Sequence, residues 1–364
     1  MLTLSLAAKT VCIVLAAQSP KPSGIDKSIA LLGDSLRPNG VAVLIDNRGY
    51  FITASQISSS KTIEATLSDG TKLFLTFVSS DEISELTLML AQDWKTEFGT
   101  PARVMKWQGT GTQPLTLVNS NSRIKGELTA GNRVGILADT GRYVPLNEMR
   151  FESQQRAMGG APVFNEKGEL AGFINASVGN VSNQNLVKIK ADQKLGARNY
   201  GPQGLVVSYS FSDKVIGRVV DGFLSEGNQP KHPYLGVFYQ NHINGGIEVK
   251  TVTKGSPSDT AGFKVGDLIL QMNQTKVSDS FVFAAKIFET FVGEVVEFDV
   301  KRNGVPMNFS VTIGQIPNSK GVHMTPNIQQ IERNNRFSST DRNRKDKMLS
   351  LTALVQAKQV DDPK

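Results

Sequence analysis

Proton transfer at neutral pH is most often the work of histidine, and this 364-residue chain has three: His232, His242 and His323. None lies in the first 231 residues, so that stretch cannot hold a Ser-His-Asp machine of the usual kind. The single cysteine, Cys12, leaves no internal disulfide, no CxxC and no Cys/His cluster with zinc spacing. The expectation is therefore no metal and no cofactor. A Ser–Lys dyad would need a motif, and none joins Ser68 or Ser177 to a lysine such as Lys72.

The elements around these positions read as β-structure. From Asp26 to about Ser210, short apolar runs alternate with Gly, Asn and Asp turns: VAVLI (41–45), YFITA (50–54), TIEATL (62–67), KLFLTFV (72–78), LTLML (86–90), RVGIL (133–137) and ELAGFI (169–174). Asp46-Asn47-Arg48-Gly49 and Ser68-Asp69-Gly70 are turn signals between such runs. Many short strands predict a barrel or sandwich. Residues 177–202 are polar and irregular and predict a long loop. The period then changes: Val215, Ile216, Val219, Val220 and Phe223 share one helical face, with Ser212-Asp213 as N-cap and Gly227 beyond the end. A linker, NQPKHP, leads to a second module from Tyr234 to about Ile316.

Residues 1–18 are apolar apart from Lys9 and end in small residues before SPKPSG, which predicts a signal peptide or apolar leader over 1–22. From Pro317 onward nine Lys/Arg face five Asp/Glu, so the tail carries much of the net charge of +7. No basic stripe with interleaved aromatics appears, and nucleic acid is not an expected partner. The tail, 317–364, is predicted to be disordered, with MLSLTALVQA (348–357) as a short amphipathic helix.

Three blocks resemble the HtrA family of trypsin-like serine proteases (also called Deg proteases), and the likeness runs over about residues 30–316. Gly49-Tyr50-Phe51-Ile52-Thr53-Ala54-Ser55-Gln56-Ile57-Ser58 is similar to the family's histidine-bearing strand, with Gln56 at the histidine. Ser84-Glu85-Leu86-Thr87-Leu88-Met89-Leu90 resembles the aspartate strand, with Glu85 at the aspartate. Ala157-Met158-Gly159-Gly160-Ala161-Pro162-Val163-Phe164-Asn165, followed by Gly168-Glu169-Leu170-Ala171-Gly172-Phe173, resembles the nucleophile segment, with Gly159 at the serine. On this register all three triad positions are changed. An amide does not titrate, and glycine offers no nucleophile. A shifted register would put Ser55 or Ser153 in play; Ser55 lies on the wrong strand, and Ser153 is six residues early with no glycine after it.

The second module resembles an HtrA-type PDZ domain. Tyr234-Leu235-Gly236-Val237 matches the loop that offers backbone N–H groups to a peptide's terminal carboxylate. Gly255-Ser256-Pro257-Ser258-Asp259-Thr260-Ala261-Gly262-Phe263-Lys264-Val265-Gly266-Asp267-Leu268-Ile269-Leu270 is the most specific match and reads as structural. Phe281–Phe291 is predicted to be the helix beside the groove, with Phe283 and Ile287 either walling a side-chain pocket with Leu235 and Val237 or belonging to the core. Asn273-Gln274-Thr275 departs from the family's turn and leaves its geometry open.

The fold class expected is mainly β: a trypsin-like double β-barrel over 26–227, then one α+β PDZ domain over 234–316. The resemblance implies an exported, periplasmic or envelope-associated protein. Its partners would be peptides or unfolded proteins, held by the C-terminal carboxylate. Homo- or hetero-oligomers with related proteases are a further implication, although no aromatic trimer motif stands between Ser23 and Asn39. Three functions stay open: a pseudoprotease with a chaperone, sensor or regulatory role, an active serine endopeptidase of protein quality control, and a structural envelope protein.

Overall fold

The computed structural model describes residues 24–33, 39–55, 62–107, 109, 111–137, 142–152, 159–175 and 205–317, together with the two-residue strands at 187–188, 325–326 and 355–356. The leader, Cys12, Gln56, Ser153, Ser177, His323 and nearly all of the tail lie outside them. Of the helix predicted at 348–357, the two described residues, Val355–Gln356, pair as strand with Thr325–Pro326.

Six strands close the first barrel in the order β1-β2-β3-β6-β5-β4: β1 Ile29–Leu32, β2 Gly40–Asp46, β3 Tyr50–Ala54, β4 Thr62–Leu67, β5 Lys72–Asp81 and β6 Leu86–Ala91. Alternation decides which side chains fill it. Ala42 and Leu44 of β2 point into the barrel with Phe51, Leu75 and Met89. Val41, Val43 and Ile45 point out and are buried all the same, because the second barrel covers that face. On β5 the outer face is open: Lys72 and Phe74 are exposed while Leu73 and Leu75 are buried. Both turn signals close hairpins. Arg48 N–H donates to Asp46 Oδ1 at 2.7 Å, and Gly49 takes φ +85°, where an added Cβ would lie 2.5 Å from Trp94.

The second sheet runs β11-β10-β7-β8-β9-β12, with Val187–Lys188 beside β8: β7 Gln113–Val118, β8 Arg123–Leu137, β9 Arg142–Glu152, β10 Pro162–Asn165, β11 Leu170–Phe173 and β12 Leu205–Phe211. Its interior holds Leu115, Leu117, Leu128, Met149, Phe151 and Val163. The helix α1, Asp213–Leu224, buries Val215, Ile216, Val219, Val220 and Phe223 as its period predicts. Ser212 stands at the N-cap without a side-chain cap bond. Its hydroxyl is buried and makes no hydrogen bond among the described residues.

The second module is a five-strand path β13-β14-β15-β16-β17, with Thr275–Lys276 added beside β15: β13 Val237–Asn241, β14 Ile247–Val252, β15 Leu268–Met272, β16 Val295–Arg302 and β17 Val305–Thr312. Two helices accompany it, α2 Pro257–Thr260 and α3 Ser280–Glu289. The turn whose geometry the sequence leaves open is regular: Asn273 and Gln274 both take left-handed φ, +45° and +59°, which is what a two-residue hairpin between Met272 and Thr275 requires. Asparagine tolerates that region at small cost, and its Oδ1 accepts from Glu297 N–H at 2.9 Å.

α3 is apolar on nearly every side, as a helix buried on two faces must be. Phe283 packs in the module's own core against Tyr239 and Phe298. Phe281 faces outward to Tyr143 of β9, ring centroids 4.7 Å apart and edge to face. Phe288 joins the core between the barrels. It lies between Phe211 and His232, and the Arg218 guanidinium of α1 sits 5.1 Å over its ring. Arg218 also donates to the carbonyls of Phe288 and Thr290, at 2.7 and 2.8 Å, where α3 ends and its last carbonyls lack helical partners. Burial lowers the Arg218 pKa to about 10.

Candidate functional site

Two places gather the residues singled out in the sequence. The first lies between the barrels. Gln56 is outside the described residues, but its neighbour Ser55 is not. Ser55 N–H donates to the Glu85 carbonyl at 2.8 Å, and Ala54 pairs with Leu86 across β3 and β6. Glu85 holds φ +57°, an uncommon setting for a residue with a Cβ. Gly159 is exposed on a turn. Gly160 follows at φ +84° with its N–H 2.6 Å from the Ile174 carbonyl. Ala54, Ser84, Glu85, Gly160 and Asn175 line one small cavity of about 10 Å³, room for a single water. The three stretches that carry Gln56, Glu85 and Gly159 therefore meet at one spot. Of the alternative residues, Ser68 lies on an exposed turn and Lys72 sits 2.7 Å from Glu64, away from this cavity.

The histidine nearest in sequence does come back to the first barrel, but not to the cavity. His232 is buried, and its Nε2 lies 2.8 Å from Oδ1 of Asp81, at the end of β5. Asp81 also accepts from Ser84 N–H at 2.9 Å, which pins the short loop leading to Glu85. Burial works against the Asp81 charge, yet the bonds from His232 and Ser84 prevail and hold its carboxyl below the usual range. The imidazole thus clasps the linker to the barrel from behind the Glu85 loop. Sequence reasoning missed this pair; its only local signal is a histidine in a Pro-flanked linker. His242 is on an exposed hairpin, where its Nδ1 accepts from Asn244 N–H at 3.3 Å. Among the described residues no three His, Cys, Asp or Glu side chains gather as a metal site would need.

The second place is the groove between β13 and α3. β13 is an edge strand, free to accept a further strand along its outer side. At its head, Gly236 takes φ +87°. The Leu235 carbonyl accepts from Ser258 N–H at 3.0 Å and the Gly236 carbonyl from Thr253 N–H at 2.8 Å. In a trans peptide the carbonyl and the following N–H point opposite ways, so the N–H groups of Gly236 and Val237 turn outward. Two adjacent outward amides make an anion nest. Leu235 and Phe283 are buried in the module's core, whereas Val237 and Ile287 are half-buried at its edge beside Tyr234. Tyr239, two residues along β13, has its hydroxyl pKa pushed up by burial.

A closed barrel packed against a second β-sheet, followed by a sheet-and-helix module with an open edge strand, defines a trypsin-like serine-protease fold joined to a peptide-binding domain. The model for the PDZ domain matches residues 233–313. The serine endoprotease DegS of Salmonella typhimurium is 27% identical over 301 residues, covering 78% of this chain and 79% of that one. The "Probable periplasmic serine endoprotease DegP-like" of Hahella chejuensis is 25% identical, and the match spans 81% of this chain but only 61% of that longer protein. Among solved structures, the HtrA-type protease AlgW with tripeptide superposes with a TM-score of 0.56 at 19% identity, covering 82% of this chain and 97% of that one. Over most of its length the chain is similar to the HtrA/DegS family of trypsin-like serine proteases with a PDZ domain. Among the described residues no helix is long and apolar enough to cross a membrane.

Proposed function

We propose that this chain is a pseudoprotease of its family, one that holds peptide C-termini through the PDZ groove and does not cut them. The observation that carries the reading is the turn at Gly159: the position expected to supply the nucleophile has no side chain, and the next residue, Gly160, lines a cavity with Glu85 that has no imidazole among its described lining residues. Glu85 at the aspartate position would orient a histidine, but the matching position is Gln56. The groove keeps what binding needs: an open edge strand, a two-amide nest and half-buried apolar side chains at Val237 and Ile287.

The named relatives are serine endoproteases, and the AlgW structures carry peptides. Carried to this chain, the first property is the competing reading and the second supports ours. In the cell envelope such a protein would act as a chaperone, a sensor or a regulatory partner of active relatives. The test is purified full-length protein given unfolded casein and a fluorophosphonate probe. No labelling and no cleavage are expected; labelling at any serine would overturn the reading. Fractionation of producing cells, with the protein found outside the cytoplasm, checks the proposed export.

A further inference from the structure

Ser256 and Ser258 belong to the segment read in the sequence as merely structural. The fold places that segment directly under the carboxylate loop. Gly236 lies flat against Ser256: a Cβ added to Gly236 would meet Ser256 Cβ at 2.2 Å and Oγ at 2.5 Å. Ser256 caps α2 by accepting from Asp259 N–H at 3.3 Å. Its Oγ is also 2.8 Å from Ser258 Oγ and 3.5 Å from the Gly236 carbonyl. Both serines are buried, at 4% and 0% exposure, so these bonds are shielded from water. Among the described residues, the amides of Leu235 and Gly236 donate to no backbone acceptor.

We infer that Ser256 is the positioning residue of the carboxylate nest: by capping α2 it sets the Ser258 N–H that pins the Leu235 carbonyl, and so aims the Gly236 and Val237 amides at a ligand's terminal carboxylate. The inference rests on the peptide-binding reading above. The mechanism is specific to charge. A carboxylate needs both amides convergent, because charge-assisted bonds are short and directional. The rest of a β-added peptide bonds to the remainder of β13, which Ser256 does not touch. Loosening the cap should therefore weaken the hold on a free acid and leave the hold on the same peptide's C-terminal amide unchanged.

The experiment uses the full-length chain and a fluorescein-labelled decapeptide ending in Ala-Leu-Val, made as the free acid and as the C-terminal amide. Affinities are read by anisotropy, well below the melting temperature of each variant. Wild type is expected to favour the acid by roughly tenfold. Ser256→Ala should lose roughly three- to tenfold in affinity for the acid alone, the scale of a lost N-cap. Ser258→Ala keeps the backbone N–H that bonds Leu235 and should stay within about twofold of wild type. Equal losses in both serine variants, or equal losses for acid and amide, would mean a structural role and overturn the inference. A wild-type preference for the acid that is undiminished in Ser256→Ala overturns it alone. A wild type with no preference for the acid overturns the peptide-binding reading as well.

Discussion

Replacing His232 by phenylalanine isolates the buried clasp between linker and barrel. The ring keeps its apolar contact with Phe288, which His232 stacks on at 5.9 Å between centroids. What is lost is the 2.8 Å bond to Asp81, between side chains only 6% and 9% exposed. Removing one partner of a buried pair costs about 3–5 kcal/mol, because the other charge is left behind. Asp81 keeps the Ser84 N–H at 2.9 Å and the field of Arg218, which brings the expected loss to about 2–3 kcal/mol at pH 7. The pH dependence gives the sign. In wild type the Asp81 pKa is depressed, so its stabilisation is complete above the unfolded carboxyl value and fades as pH falls through the lower folded value. In His232→Phe burial is no longer offset and the folded pKa rises. The buried charge then penalises the fold at neutral pH, and protonation relieves that penalty in acid. The deficit relative to wild type should shrink to about half or less between pH 7 and pH 4. Urea unfolding followed by tryptophan fluorescence at both pH values measures it. An equal deficit at pH 7 and pH 4, or an undiminished one in an Asp81→Asn background, would refute the argument.

Arg218→Met keeps the stack on Phe288 but removes both bonds to the end of α3; a loss of about 2 kcal/mol and faster protease cleavage in the 226–232 linker are expected, with an unchanged cleavage rate counting against docking at this joint. Gly49→Ala should destabilise the first barrel by about 2–3 kcal/mol, since φ is +85° and Trp94 occupies the space a Cβ needs; a midpoint within error of wild type would contradict this. Gly159→Ser by itself should restore no casein cleavage, because a serine without a base stays protonated, whereas Gly159→Ser with Gln56→His is the smallest change expected to give measurable turnover; activity in the single variant would mean another group serves as base.

Much of the architecture was legible because local rules and global packing agree. Alternation in β1 to β6 and the Asp46–Gly49 turn report directly on barrel one, and the apolar face of α1 reports on its burial. The resemblance of Gly255–Leu270 to a PDZ segment did the same for the second module. The joint between modules was not legible. Asp81 and His232 are 151 positions apart, and Arg218 and Phe288 are 70 apart, so no window of sequence holds both partners. One clue was present and went unused: Phe281, Val282, Phe283, Ala284, Ala285, Ile287 and Phe288 leave α3 with hardly a polar side, and such a helix must be covered twice. Periodicity put Phe283 and Ile287 on one face, but it could not say that Phe283 is core, at 0% exposure, while Ile287 is only partly buried against that core.

On the proposed reading, the positions of the three changed residues explain how the fold could outlast the chemistry. Ser55, the neighbour of Gln56, follows the end of β3; Glu85 precedes β6; Gly159 precedes β10. Ser55 and Glu85 are only partly buried, and Gly159 is exposed. A side chain there can change without opening a cavity, so little stability is at stake, in contrast to the several kcal/mol that a buried Phe or Leu would cost. Backbone geometry answers to different forces. Glu85 stays at φ +57° because its carbonyl is bound by Ser55 N–H and its loop is pinned from behind by Asp81. The Gly160 turn is likewise held by the Ile174 carbonyl. These bonds join strand ends that the two barrels bring together for their own packing. The geometry of a protease cleft is therefore a by-product of the fold, maintained whether or not the residues within it can transfer a proton.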